Sequence, residues 1–306
     1  MKVAVTGATG TIGRAVVARL LDRGDRVVAL SRDAARARGR LGAGAEAASW
    51  PEPTASPPPA GALAGCDAVL HLLGEPVDQR WSDDAKRRIR DSRVRGTRNL
   101  VEGMGAAEPR PRVLVSQSAS GFYGAHGDEP VDESQPPASG DFLAGVTVEW
   151  EREAARAGEM GLRVALARTG VVLSDSGGAL ARMLPFFKLG VGGPVAGGRQ
   201  YVPWIHLDDE VGALVRLLDA DGAAGPHNLA APAPVTNGEL SRVLGRVLRR
   251  PAFAPVPALA VRALYGDMAQ VVTTGARMVP RRLEALGYEW RWPELEPALR
   301  DATGRR

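Results

Sequence analysis

The segment KVAVTGATGTIGRAVVARLLDRGDRVVALSR, Lys2 to Arg32, decides the fold. KVAVT is a short apolar run rich in valine. Three glycines follow it, Gly7, Gly10 and Gly13, in a GxxGxxG pattern that opens the helical stretch RAVVARLLDRG. Gly24 stops that helix, and RVVALS begins a second apolar run. Strand, glycine turn, helix and strand in this order make one β-α-β unit. Glycines at such a turn permit the tight reversal, let the backbone approach a pyrophosphate and let the helix pack closely on the strand. The free amides and dipole of the helix N-terminus favour an anion. The turn reads as a nucleotide site, with a purely structural glycine-rich turn as the alternative.

What closes the second strand selects the dinucleotide. An acidic residue there would accept hydrogen bonds from both ribose hydroxyls of NAD. Here the strand ends in Ser31 and Arg32. A guanidinium in that place pairs with a 2′-phosphate, so NADP(H) is the expected cofactor. In the alternative, Arg32 is one more solvated arginine and Asp33 serves the ribose.

Further apolar runs continue the alternation with helical patterns: AVLHLL (68–73), RVLVSQS (112–118) and RVALART (163–169). They imply a doubly wound parallel sheet with helices on both faces, joined by right-handed crossovers. Gly42 to Gly65, rich in alanine and proline and containing Pro57, Pro58 and Pro59, reads as a surface loop. From Gly177 the chain turns glycine-rich around LARMLPFFKLG, and after about Pro251 it acquires its own punctuation and the aromatic cluster Tyr288, Trp290 and Trp292. The expected organisation is a main domain over 1–235, with substrate-roof segments from 177, and a small C-terminal subdomain over 250–300 on the substrate side.

Composition narrows the partners. A chain of 306 residues, 44% hydrophobic and 24% charged, is globular rather than disordered. Net charge is +4, and the basic residues, of which only Lys2, Lys86 and Lys188 are lysines, are dispersed along the sequence. Nucleic-acid binding is therefore not expected. The single Cys66 excludes an internal disulfide, and the four histidines lack a paired ligand spacing, so no metal is expected. No run is long and apolar enough to span a membrane, and no secretory signal opens the chain, which makes a cytoplasmic location the expectation.

In SDDAKRRIRDSRVRGTRNLVEGM (82–104), Ser82 and the two acids behind it mark a helix start, and the inward stripe reads Ile89, Arg93, Thr97, Leu100 or Val101, and Met104. Arg93 falls on the apolar face. An unpaired buried cation is strongly unfavourable, so Arg93 meets an anion or a row of carbonyls at the cofactor site, or it snorkels to solvent.

TGATGTIG, HLLGEP (71–76), SRVRGT (92–97), SASGFYG (118–124) and WIHLDD (204–209) together resemble the extended short-chain dehydrogenase/reductases. More closely, with DFLA and WE, GVVLS and GGAL, GGRQ, GDMA, MVP and RRLEALGY, the chain resembles their atypical epimerase-family branch, the nucleoside-diphosphate-sugar-epimerase-like proteins. The resemblance implies a Rossmann-type fold, bound NADP(H), and a cleft for a nucleotide-linked or polar small molecule, with epimerase or oxidoreductase chemistry. It implies cofactor contacts at Gly7, Thr9, Gly10, Thr11, Ile12, Gly13, Ser31, Arg32, Leu72, Leu73, Gly74, Glu75 and Arg93, the last standing where typical members carry asparagine. Typical relatives pair through two helices, which makes a homodimer the expected assembly.

Typical members use a tyrosine and, four residues on, a lysine whose charge lowers the phenol pKa for proton exchange with the substrate. In GDFLAGVTVEWE (140–151) those places hold Leu143 and Thr147, and no other tyrosine in the chain has a lysine four residues later. Ala119 takes the usual hydroxyl position, leaving Ser118, Tyr123 and His126 as substitute candidates. Ser118 either reaches ligand or caps a turn. Tyr123 matches a packing position in typical members. Arg199 and Gln200 are the candidates on the substrate side. His206 satisfies a core hydrogen bond, with Asp208 or Asp209 capping the next helix, and Glu149 and Glu151 lie on a solvated helix face, with a structural role for Glu151 as the alternative. The stripe Leu180, Met183, Leu184 and Phe187 fits a lid helix or plain packing. A protein that holds NADPH for sensing or regulation, such as one tied to cell division, is the alternative to an enzyme.

Overall fold

The computed structural model describes residues 1–305. Seven strands form its central sheet: β1 (Lys2–Thr6), β2 (Arg26–Ser31), β3 (Ala45–Ser49), β4 (Ala68–His71), β5 (Val113–Ala119), β6 (Arg163–Thr169) and β7 (Gly225–Leu229). All neighbours are parallel and the order is 3-2-1-4-5-6-7, so the chain winds outward from β1 in both directions. Ligands of such sheets bind where that direction reverses, beyond the carboxyl ends of β1 and β4.

Two strands have no apolar run in the sequence. β3, AEAAS, lies inside the segment expected to be surface loop and pairs residue for residue with β2, from Val27 with Ala45 to Ser31 with Ser49. Only an edge position tolerates so polar and small a strand, since one of its flanks needs no partner. β7, GPHNL, closes the opposite edge, where Pro226 removes no ladder hydrogen bond that the sheet needs.

The helices of eight residues or more are α1 (Thr11–Asp22), α2 (Ala34–Leu41), α3 (Asp83–Ala106), α4 (Phe142–Ala155), α5 (Gly178–Lys188), α6 (Leu207–Asp219), α7 (Asn237–Leu248) and α8 (Ala258–Tyr265), with a last helix over Leu295–Ala302. One sheet face is covered by α1 and α6 through Val16, Val17, Leu20, Leu214 and Leu217, and the other by α3 and α4 through Leu100, Val101, Met104 and Ala154. A third cluster joins α5, α7 and the last helix. Leu180, Leu184 and Phe187 are buried in it, so their stripe serves packing. Among the described residues no helix is long and apolar enough to cross a membrane.

Asp209 ties the C-terminal segment to α6. Its fully buried carboxylate accepts from Tyr288 Oη at 3.0 Å, Arg291 N at 2.7 Å and Trp292 N at 2.9 Å. The capping residue of α6 is His206 itself, whose Nδ1 accepts from Asp208 N at 3.1 Å, in place of either aspartate expected there.

Candidate functional site

The β1–α1 turn is shaped by what its glycines cannot carry. Gly7 has φ +64°, and a Cβ there would strike the carbonyl of Leu72 at the end of β4. At Gly13 a Cβ would strike the carbonyl of Gly7, so the helix rests directly on the turn. Gly10 is the N-cap of α1, and no side chain caps that end. The helix therefore presents amides to whatever occupies the turn. Beneath it runs a buried polar chain: His71 Nδ1 meets Thr6 Oγ1 and its Nε2 meets Thr97 Oγ1, each at 2.8 Å, while Thr6 Oγ1 also accepts from Leu72 N at 3.0 Å. Burial pushes the His71 pKa down to about 3, so the imidazole stays neutral and relays hydrogen bonds between β1, β4 and α3. In the sequence this residue is one polar letter inside AVLHLL and the first of HLLGEP, and neither string marks it as a buried hydrogen-bond relay.

At the end of β2, Asp33 Oδ1 accepts from Arg36 N at 2.9 Å and caps α2, and Ser31 Oγ accepts from Asp33 N at 3.3 Å. Arg32 is exposed and lines a cavity of about 620 Å³ with Pro51, Thr54, Leu73, Gly74 and Arg88. Arg88 is already engaged by Asp84 and Glu75. Arg32 has no ion-pair partner among the described residues. The geometry thus sets a free guanidinium beside a cavity and commits the neighbouring carboxylate to a helix cap.

Arg93 is half-buried on α3. Its Nη1 donates to the carbonyls of Glu75 at 2.9 Å and Ile89 at 3.2 Å, and its guanidinium lies 5.2 Å from the centroid of the Trp150 ring. The same group packs on Gly74, where a Cβ would come within 3.1 Å of it. No carboxylate forms an ion pair with it among the described residues. Burial pulls its pKa down to about 10, with the charge of Glu75 opposing. A desolvated cation held only by carbonyls favours an anion within reach.

α4 carries Leu143 and Thr147 where a relay pair would stand. Leu143 packs on the apolar cluster around Trp81, Ile89 and Met268. Thr147 is buried and returns its hydroxyl to the carbonyl of Leu143 at 2.7 Å. One turn on, Glu151 is buried rather than solvated. It receives Arg168 Nε at 2.8 Å and Nη2 at 2.9 Å, and Ser118 Oγ at 2.6 Å. Arg168 Nη1 donates onward to Tyr123 Oη at 2.9 Å, and Tyr123 donates to Asn228 Oδ1 at 2.7 Å. Tyr123 is fully enclosed, and burial raises its pKa to about 12 against the pull of Arg168. Ser118 and Tyr123 therefore belong to one internal network linking β5, α4, β6 and β7, while His126 is exposed.

Of the two residues expected on the substrate side, Gln200 donates to the carbonyls of Val195 at 3.1 Å and Val272 at 2.8 Å, whereas Arg199 is exposed. The loop before α5 sits on the start of α1, since a Cβ at Gly177 would meet Thr11 Oγ1, and Arg182 of α5 pairs with Asp78. Away from the turn, polar atoms of His206, Asp208 and Asp301 gather within 4.8 Å. His206 gives Nδ1 to the α6 cap and Nε2 to Asp301 at 3.3 Å, and burial lowers its pKa against the pull of Asp208 and Asp301.

A doubly wound parallel sheet with a glycine-shaped turn at its switch point defines a Rossmann-type α/β protein. Comparison with known proteins specifies it further: residues 3–230 match the model of the NAD dependent epimerase/dehydratase family, to which the chain belongs, and residues 256–302 match a domain of unknown function, DUF1731. The epimerase family protein SDR39U1 homolog of Arabidopsis thaliana, a chloroplastic protein, is 40% identical over 98% of this chain and 86% of its own length. The epimerase family protein MT2273 of Mycobacterium tuberculosis is 40% identical over 99% of this chain and 98% of its own. The crystal structure of human epimerase family protein SDR39U1 with NADPH superposes with a TM-score of 0.88 at 34% identity, covering all of both chains.

Proposed function

We propose that the chain binds NADP(H) across the Gly7–Gly13 turn, with the 2′-phosphate at Arg32 and Arg93 beside the dinucleotide. It acts as an oxidoreductase or epimerase on a nucleotide-linked or polar small molecule without a tyrosine–lysine relay. The observation that carries cofactor choice is local: Arg32 stands free at the end of β2 while Asp33 caps α2. The turn fits a pyrophosphate because the places a Cβ would fill at Gly7 and Gly13 are closed by backbone, leaving the uncapped end of α1 as the open side. The NADPH of the human relative supports the same reading.

The residues of this chain bind and position. Thr6, His71 and Thr97 fix the turn, and Arg93 supplies positive charge next to Gly74. Bound NADP(H) supplies hydride chemistry. Leu143 and Thr147 move no proton, and Tyr123, enclosed and raised to about 12, is not poised for proton exchange at neutral pH.

Titration of the protein with NADPH and NADH tests the site. The Arg32→Asp variant should lose NADPH affinity about tenfold or more while binding of NADH holds or improves. Equal binding of the two cofactors before and after the change would remove the 2′-phosphate argument. The same missing relay favours a second reading, an NADPH-holding regulatory protein. Absorbance loss at the nicotinamide band with a panel of carbonyl substrates supports turnover, and tight binding with none across the panel supports the regulator.

A further inference from the structure

Acidic residues are absent from 176–207 and from 240–266, two stretches that contain Arg182, Lys188, Arg199, Arg242, Arg246, Arg249, Arg250 and Arg262. No acid lies within either stretch, which leaves 31 basic against 35 acidic residues elsewhere. Acids from outside pair with Arg182 (Asp78), Arg242 (Glu239) and Arg246 (Glu296), while Lys188, Arg199, Arg249, Arg250 and Arg262 form no ion pair among the described residues. The fold brings the two stretches together. Arg250 Nε donates to the carbonyl of Lys188 at 3.1 Å, Ala196 N to Val256 O at 2.9 Å, and Val256 N to Pro194 O at 2.9 Å.

The same surface holds the exposed apolar side chains. Apart from Met1, every large hydrophobic that stands well out of the protein among the described residues lies in 186–191, 253–264 or 271–272. Phe253 is 82% exposed, Leu259 79%, Leu189 76% and Leu264 69%. α8 buries only Val261. Scattered apolar residues on a surface need no explanation, but a contiguous group of them marks a contact.

We infer that this face docks peripherally on an anionic lipid bilayer, with Leu189, Phe253, Leu259 and Leu264 entering the interface and Lys188, Arg249, Arg250 and Arg262 meeting the headgroups. Apolar side chains beside unpaired cations match a surface that is hydrocarbon underneath and negative on top. Self-association fits poorly, because a two-fold pairing of this face would set the same cations against one another. A surface contact makes no demand for a spanning helix, and it stands independently of the cofactor assignment.

Sedimentation of the full-length protein with vesicles tests it, using phosphatidylcholine alone and phosphatidylcholine mixed with phosphatidylglycerol, at low and at molar salt. The protein should pellet with the mixed vesicles, release in high salt and ignore the neutral ones. Leu259→Glu combined with Phe253→Glu should lower partitioning about tenfold or more, and Arg249→Glu and Arg262→Glu about fivefold each. Melting temperatures close to that of the parent would show that these surface variants fold. Failure to pellet with mixed vesicles, equal pelleting with both kinds, or insensitivity to all four substitutions overturns the proposal. So does a parent that is dimeric and becomes monomeric on Leu259→Glu without ever binding vesicles, which would make the face a contact between copies.

Discussion

Arg93 shows how a single residue can be legible and still surprise. Its place on the apolar face of α3 predicts a partner at the cofactor site, and the structure gives it two carbonyls and the ring of Trp150. Replacing it in Arg93→Leu should weaken NADPH binding by about 1.5–3 kcal/mol, the usual range for a hydrogen bond to a charged group, with apo stability unchanged or raised because a desolvated cation is removed. An unchanged NADPH titration would free Arg93 of any ligand role. Glu210 was invisible by comparison. It reads as one of three acids at a helix start, yet it is fully buried, accepts from Thr169 Oγ1 at 2.8 Å, and is pushed by burial up to about 8. A carboxyl raised in the folded state contributes stability fully present below its unfolded pKa, near 4.5, and lost as pH rises toward 8. Glu210→Gln should therefore stabilise the fold more at pH 8.5 than at pH 5, by on the order of a few kcal/mol at the alkaline end, with a correspondingly larger rise in melting temperature there. A variant whose melting curves keep the parent's pH dependence would show that Glu210 does not carry it.

At the level of elements, pattern found what periodicity can encode. β1, β2, β4, β5 and β6 are apolar and flanked by turn residues, and α3 announces itself through Ser82, whose Oγ accepts from Ala85 N at 3.1 Å. β3 and β7 are edge strands, held by backbone pairing with a neighbour rather than by an apolar run, so nothing in their letters marks them. The partners of α4 were hidden for a different reason. Glu151 looks solvated until Arg168, seventeen residues later and on another element, closes on it. Asp209 acts in the same way across a longer span, gathering Tyr288, Arg291 and Trp292 onto α6. Asp209→Ala leaves buried donors unpaired and should destabilise the fold by about 2–4 kcal/mol, with the segment after Tyr288 opening first. Calorimetry together with hydrogen exchange checks this, and protection after residue 288 equal to that of the parent would contradict it.

Across the whole molecule the sheet order puts the glycine turn, Arg32 and Arg93 in the region of the switch point, while the chain retains no tyrosine–lysine couple by sequence spacing. The glycine turn could be read without coordinates because its pattern is local. The clustering of cations with exposed apolar side chains could not, because residues 186–191 and 253–264 meet only in the fold. The measurement that bears most directly on the cofactor assignment is calorimetric titration of the purified, cofactor-stripped protein with NADPH and with NADH. One site per chain with NADPH bound at least about tenfold more tightly than NADH is the expected result. No heat with either cofactor, or equal affinity for both, would contradict it.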